Sequence, residues 1–206
     1  MPEPDGPLVL TEFPLTIVSA GWGRWWRVHS KDYGPWFYAS DDSERDPESI
    51  GRFDLPKPHG TLYVGEYIPG TAPEAVREAD VAAAESQAAY NARRLSALPL
   101  DAYHGLAVAD FTSSSVARFG APADIAALPR SEARPWARAA HEGQFHGILY
   151  RLREDPKRRR GLALFGDGGP ADPPRGQQDP WELPTGLRNE MHTLFEGEYR
   201  GDPIPR

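Results

Sequence analysis

The chain of 206 residues contains no cysteine, and that absence excludes several kinds of site at once. Disulfide bridges, thiolate zinc sites, iron–sulfur clusters and cysteine nucleophiles all depend on this residue. Long apolar runs are also missing, since no stretch approaches the roughly 18 residues that a membrane-spanning helix needs. The acidic start, Met1-Pro2-Glu3-Pro4-Asp5, lacks the basic region of a signal peptide. We therefore expect a cytoplasmic protein with no membrane segment.

Positive charge is in the minority, because 23 Lys and Arg stand against 30 Asp and Glu for a formal net charge of -7. Such a surface repels a phosphate backbone, so direct binding of nucleic acid is not expected. The basic run Lys157-Arg158-Arg159-Arg160 favours a solvated hairpin tip, with phosphate contact as the alternative.

Aromatic residues are abundant, with six Trp, eight Tyr and eight Phe, and they supply enough apolar surface for the core of one globular domain. The 22 Pro and 20 Gly predict few helices and short strands. Predicted strands cover 25–29, 61–64, 106–111, 147–150 and 162–165, the last two being paired. A short helix is predicted over 123–128 and another over 132–141.

The clearest predicted helix begins near Ala72, where Thr71 and Glu74 have the spacing of a capping box, and runs to Arg94 or Leu95. Its alanines share one broad face, and Glu78 lies at the margin of that face.

The chain is expected to divide into an N-terminal segment (1–23), a main domain (24–169) and a Pro-rich extension (170–206). The extension carries Leu187, Met191, Leu194 and Phe195 at helical spacing. This amphipathic helix packs either on its own core or on another subunit, so a homodimer stays open.

A metal site is not expected, because the histidines of His141-Glu142-Gly143-Gln144-Phe145-His146 are five residues apart. On a helix they would be rotated by roughly 140° from each other. The sequence Gly21-Trp22-Gly23 lacks the third glycine and the following helix of a dinucleotide-binding loop.

Arg27, Arg52, Tyr63 and Glu78 could each have an ordinary structural role, but their flanking sequences form an ordered pattern. That pattern resembles the RES-domain family, named for an Arg, a Glu and a Ser. The matching segments, which span about residues 24 to 169, are Trp26–His29, Gly51–Pro56, Pro58–Val64, Ala75–Glu78, Trp136-Ala137, Phe145–Arg151 and Leu162–Gly166.

One position departs from the family pattern, because Leu152 stands where the family commonly has Ser. Either the site is rebuilt without that hydroxyl, or Ser113, Ser114 or Ser115 replaces it. Strand alternation predicts that Leu152 points with Ile148 and Tyr150, toward the packed interior or the floor of a cleft.

The resemblance implies an α/β (α+β) fold related to ADP-ribosyltransferases, with a small, mostly antiparallel, split sheet flanked by helices. It also implies a toxin that degrades NAD by hydrolysis or phosphorolysis, restrained by a helix-turn-helix antitoxin. NAD would be the substrate, and no other cofactor is implied. The alternatives are a nucleotide-binding or partner-binding protein that has lost the chemistry, or an ADP-ribosyl transferase.

The same resemblance implies roles for individual residues. Glu78 would stabilise positive charge on the ribose and Arg27 would assist catalysis. Arg27 and Arg52 would bind the pyrophosphate. Tyr63 would contact nicotinamide, and Tyr150 would help to bind NAD.

Overall fold

A mostly antiparallel sheet of eight strands organises the structure, in the order β1-β8-β9-β10-β6-β2-β7-β12. The computed structural model describes residues 3–42, 50–68, 92–153, 155, 157–173 and 180–182. The strands are β1 (Leu15–Ile17), β2 (Arg24–Ser30), β3 (Phe37–Tyr38), β4 (Ser40–Asp41), β5 (Leu55–Pro56), β6 (His59–Gly65), β7 (Arg93–Pro99), β8 (Ala107–Asp110), β9 (Gly147–Arg151), β10 (Arg160–Asp167), β11 (Gly169–Pro170) and β12 (Trp181–Glu182).

The helices of the described residues are few and short, as the density of proline predicts. The α-helix α1 covers Arg130–Glu142. Short 3-10 helices cover Ala20–Trp22, Leu100–Tyr103, Ser114–Phe119 and Ile125–Ala127. None of the helices in the described ranges is long and apolar enough to cross a membrane.

The sheet is split between β2 and β6, which pair at a single described position, Trp26 with Gly65. On one side of this split, β2 pairs with β7 over seven residues. On the other, β6 pairs with β10 over seven residues. In this sheet only the described pair β8 and β9 runs parallel. The predicted fold class, a mixed α/β domain with a mostly antiparallel split sheet, is therefore confirmed.

Two apolar clusters form the core. One packs Trp136 and Ala137 of α1 near Ile148, Tyr150 and Leu152. The other is built on the following buried side chains of the strands and their connections: Val18, Trp25, Trp36, Tyr38, Leu62, Val64, Leu98, Leu100, Val108, Leu149, Leu162 and Leu164. Alternate residues of one strand enter different clusters, as Leu149 and Tyr150 do, because successive side chains point to opposite faces.

The predicted helix to Arg94 or Leu95 is wrong at its C-terminal end, because Arg93–Pro99 is strand β7. Helix propensity there is overridden by pairing along β2 and by burial of Leu95 and Leu98, which are 4% and 0% exposed. The rest of that prediction, with Glu78, lies outside the described residues, as does the predicted helix of the C-terminal extension.

Candidate active site

Arg27 lies on β2, one residue beyond the bridge that joins the two halves of the sheet. Its Nη1 donates to the carbonyl of Pro35 at 2.9 Å, and its Nη2 donates to the carbonyl of Phe37 at 2.8 Å. The same segment reaches β6, because Ala39 pairs with Thr61. Arg27 thus connects β2 to a segment bound to the other half of the sheet, using two of its five N–H donors.

The surroundings of Arg27 are aromatic and acidic. Burial lowers the pKa of Arg27 to about 10, and the nearby Tyr38, Tyr63 and Asp54 oppose that shift. The guanidinium therefore remains charged at neutral pH. A charged group held in such a place is a candidate for binding an anionic ligand.

Tyr63 projects from β6 into a network with the turn before β5. Its hydroxyl donates to Asp54 Oδ1 at 2.8 Å and accepts from the backbone N–H of Phe53 at 2.8 Å. Burial and the neighbouring Asp54 raise the pKa of Tyr63 well above its usual value. The phenol consequently keeps its proton across the physiological range and remains a donor.

Asp54 links Tyr63 to Gly51 in the same network, because it accepts a hydrogen bond from each of them. Its Oδ2 accepts from the backbone N–H of Gly51 at 2.6 Å, and the residue is 1% exposed. A Cβ at Gly51 would lie 2.4 Å from Asp54 Oδ1 and 2.7 Å from the Tyr63 hydroxyl. Gly51, Asp54 and Tyr63 therefore form one closely packed unit, here called the Gly51–Asp54–Tyr63 unit, in which only glycine fits at position 51 without displacement.

Two further tyrosines, Tyr38 and Tyr103, also influence the pKa of Arg27. The hydroxyls of Tyr38 and Tyr103 are 2.8 Å apart, and the ring of Tyr103 stacks on Trp36 with centroids 5.9 Å apart. Burial raises the pKa of both phenols, so each remains neutral.

Tyr63 and Asp54 lie near enough to Arg27 to oppose the lowering of its pKa by burial. Tyr150 lies deeper, because it is 3% exposed and packs edge-on against Phe53 with centroids 5.0 Å apart. Arg52 is turned toward the connection before α1, where its Nη1 donates to the carbonyl of Leu128. The roles of these residues in binding stay predictions.

The position of the missing family serine is part of the core. Leu152 is 1% exposed and shares a cluster with Ile148 and Tyr150, so its predicted orientation is confirmed. Of the suggested substitutes, Ser113 Oγ lies 2.7 Å from Ser115 Oγ and accepts from the N–H of Ser115 at 3.3 Å. The two hydroxyls therefore bond to each other at the start of the 3-10 helix Ser114–Phe119, where Ser113 is the N-cap residue.

Asp54 is the residue that sequence reasoning missed. A signal was present in the sequence, because Asp54 stands between two large apolar residues, Phe53 and Leu55. Burial of a carboxylate costs free energy unless hydrogen-bond donors compensate it, and here Tyr63 and Gly51 supply those donors. Tyr103 had no comparable signal in the sequence.

The basic run lies in the connection between β9 and β10 and at the start of β10, where the side chains of its three arginines remain partly exposed and each has an acidic partner. Arg158 pairs with Asp124, Arg159 with Asp155 at 2.8 Å, and Arg160 with Glu66 at 2.9 Å. Arg159 also lies over the ring of Tyr67, 3.3 Å from its centroid. Asp124 and Glu66 are distant in sequence, so a local charge pattern could not identify them.

Comparisons with known proteins agree with the sequence pattern and the fold. The family model of the RES domain matches residues 24–185 of this sequence, which is more than half of the chain. No curated protein matches it. A chain in the crystal structure of the M. tuberculosis MbcT-MbcA toxin-antitoxin complex is similar, with a TM-score of 0.54 and 17% identity. The match covers 87% of this chain and 92% of that chain.

Proposed function

This chain belongs to the RES-domain family, and we propose that it is an enzyme that degrades NAD by cleaving the bond between nicotinamide and ribose. The family match confirms the resemblance inferred from the ordered sequence segments. One observation carries the proposal further: Arg27 is fixed at the split of the sheet by two hydrogen bonds, and the partly buried Tyr63 is among the groups that influence its pKa.

In the proposed binding mode, NAD accepts hydrogen bonds from N–H groups of the fixed Arg27 guanidinium. Its two bonds to carbonyls hold the guanidinium plane, while further N–H groups can donate to the pyrophosphate of NAD. Because the plane is already held, little side-chain entropy is lost when the ligand binds. The ring of Tyr63 offers an aromatic surface to nicotinamide.

The proposed reaction breaks the C–N bond between ribose and nicotinamide. Nicotinamide leaves with the bonding electron pair, and an oxygen of water or phosphate forms the new bond to the sugar. Positive charge develops on the ribose in the transition state, so a nearby carboxylate lowers the barrier. We assign that role to Glu78, as the family pattern implies. Hydrolysis gives ADP-ribose and a proton, whereas phosphorolysis gives its phosphorylated form.

The protein is further proposed to act as the cytoplasmic toxin of a toxin–antitoxin pair, with a helix-turn-helix antitoxin that covers the cleft. Membership of the RES-domain family supports this proposal, as does the similar fold found in a toxin–antitoxin complex.

Leu152 favours a second candidate, a nucleotide-binding protein without turnover. Its side chain is 1% exposed in the core and offers no hydroxyl where the family commonly has Ser. The Gly51–Asp54–Tyr63 unit and Arg27 would remain available for binding in such a protein.

Product analysis separates these candidates. Purified protein is incubated with NAD, with and without phosphate, and the products are identified by mass spectrometry. Hydrolysis predicts free nicotinamide and ADP-ribose in both samples, and phosphorolysis predicts a phosphorylated product only when phosphate is present. Binding of NAD without any product would support the nucleotide-binding candidate.

Arg27 can be tested against a matched arginine of the same strand, the exposed Arg24. Arg27→Lys keeps the charge but loses the planar fork, so calorimetry should show NAD binding weakened by about 1 to 3 kcal/mol. Arg24→Lys should bind like the unmodified protein. Equal affinities for the two variants would assign Arg27 a purely structural role.

A further inference from the structure

The hydroxyl of Tyr63 has already used the one proton that it can donate. That proton is directed to Asp54 Oδ1, and one lone pair accepts from the backbone of Phe53. A phenol carries a single O–H donor. A ligand beside Tyr63 therefore meets its ring or its remaining lone pair rather than a free O–H group.

Asp54 sets the direction of that bond. Its two oxygens receive two donors, the hydroxyl of Tyr63 and the N–H of Gly51, and a carboxylate can accept both. The carboxylate is 1% exposed, so water does not substitute readily for either donor. The absence of a side chain at Gly51 allows this close approach.

We propose that Asp54 is a positioning residue for the ligand site. Its carboxylate holds the hydroxyl of Tyr63 away from the ligand, so that Tyr63 acts through its ring. Phe53 backs that ring, with the two planes 24° apart and the centroids separated by 6.3 Å. The consequence for turnover rests on the proposed NAD-degrading function. The hydrogen-bond geometry does not depend on it.

Asp54→Asn tests the direction of the bond with little change in shape. An amide has one oxygen and one NH₂ group, so it cannot accept from both Tyr63 and Gly51. If its oxygen faces Tyr63, two donors oppose each other at Gly51. If its oxygen faces Gly51, the NH₂ group donates to Tyr63 and the phenolic proton must turn elsewhere. Both arrangements alter the position or the bonding of Tyr63.

A matched control is available on β8, where Asp110 also accepts hydrogen bonds from hydroxyl groups. Asp110 Oδ2 accepts from Thr16 at 2.6 Å, and Oδ1 accepts from the hydroxyl of Thr112 at 2.6 Å. Asp110→Asn therefore removes a similar carboxylate outside the proposed machinery. Thermal melts of every variant give the temperature at which all of them are folded.

Two measurements are then made on Asp54→Asn, Tyr63→Phe, their double variant and the Asp110→Asn control. Steady-state kinetics with NAD should show kcat lowered at least about tenfold in each single variant, KM within about threefold, and no further loss in the double variant. The NMR shift of a ¹³Cζ-labelled Tyr63, assigned with Tyr63→Phe, should change in Asp54→Asn and stay in place in Asp110→Asn.

Other outcomes would overturn the inference. Unchanged kcat and KM in Asp54→Asn, with a loss in Tyr63→Phe, would show that the hydroxyl acts on the ligand without Asp54. Losses that multiply in the double variant would show that the two residues act independently. If the unmodified protein does not consume NAD, the proposed function fails. The Tyr63 shift then decides alone, and an unchanged shift in Asp54→Asn refutes the positioning role.

Discussion

Replacing Gly51 by alanine should damage the candidate site through a single added methyl group. The new Cβ would lie 2.4 Å from Asp54 Oδ1 and 2.7 Å from the hydroxyl of Tyr63, well inside normal contact distances. Neither group can move freely, because the carboxylate is 1% exposed and holds two hydrogen bonds. The methyl group must therefore displace Asp54, Tyr63 or the turn between them.

Two destabilising contributions and one stabilising contribution determine how far Gly51→Ala lowers the free energy of unfolding. Overpacking typically costs about 1 to 3 kcal/mol, and weakening a hydrogen bond to a charged group adds about 1.5 kcal/mol or more. The reduced freedom of the unfolded chain returns about 0.4 to 1 kcal/mol. We expect a net loss of about 1.5 to 4 kcal/mol, which lowers Tm by roughly 3 to 16 °C in a protein of this size.

Thermal and urea unfolding of Gly51→Ala should be compared with Gly21→Ala. The nearest atom to a Cβ at Gly21 would be Ser19 Oγ at 3.9 Å, an ordinary contact. The control should match or slightly exceed the stability of the unmodified protein. Equal Tm values for the two variants would refute the claim that the Gly51–Asp54–Tyr63 unit is rigidly packed.

Two further predictions concern stability. Burial lowers the pKa of His29 from 6.5 to about 4, while Ser96 and the carbonyl of Ser30 hold the neutral ring. Because the unfolded chain binds the proton first, stability should fall by up to about 3 kcal/mol as pH drops from about 6.5 to 4. His29→Gln should lose that part of the slope in urea titrations, and an unchanged slope would assign it to other groups. Leu152→Ser should cost about 2 to 5 kcal/mol and leave NAD consumption unchanged, because Leu152 fills the core. Faster NAD consumption would instead place position 152 on the cleft.

The sequence predicted the elements whose pattern is local. The aromatic segment around Trp25 became β2, the segment around Leu62 became β6, and 147–150 and 162–165 became the paired strands β9 and β10. The helix predicted over 132–141 is α1, two residues longer at its start and one at its end. In each case the burial pattern needed by the tertiary structure agrees with local propensity.

Failures occurred where distant partners decide the structure. Strand β7 continues a sequence of good helix formers, and its pairing with β2 makes it a strand. Asp54 belongs to the matching segment Gly51–Pro56, but its importance depends on Tyr63 and Gly51, which come together with it only after folding. The arginines of the basic run likewise find Asp124 and Glu66 across the fold. Sequence spacing carries no direct information on such contacts.

The most direct test of the account measures release of nicotinamide from NAD by the unmodified protein and by Glu78→Gln. The amide retains the shape of the side chain but removes the charge that would stabilise the developing positive charge on ribose. We expect nicotinamide release by the unmodified protein, and release slower by about two orders of magnitude or more in a folded Glu78→Gln variant. No release by the unmodified protein, or equal rates for the two proteins, would contradict it.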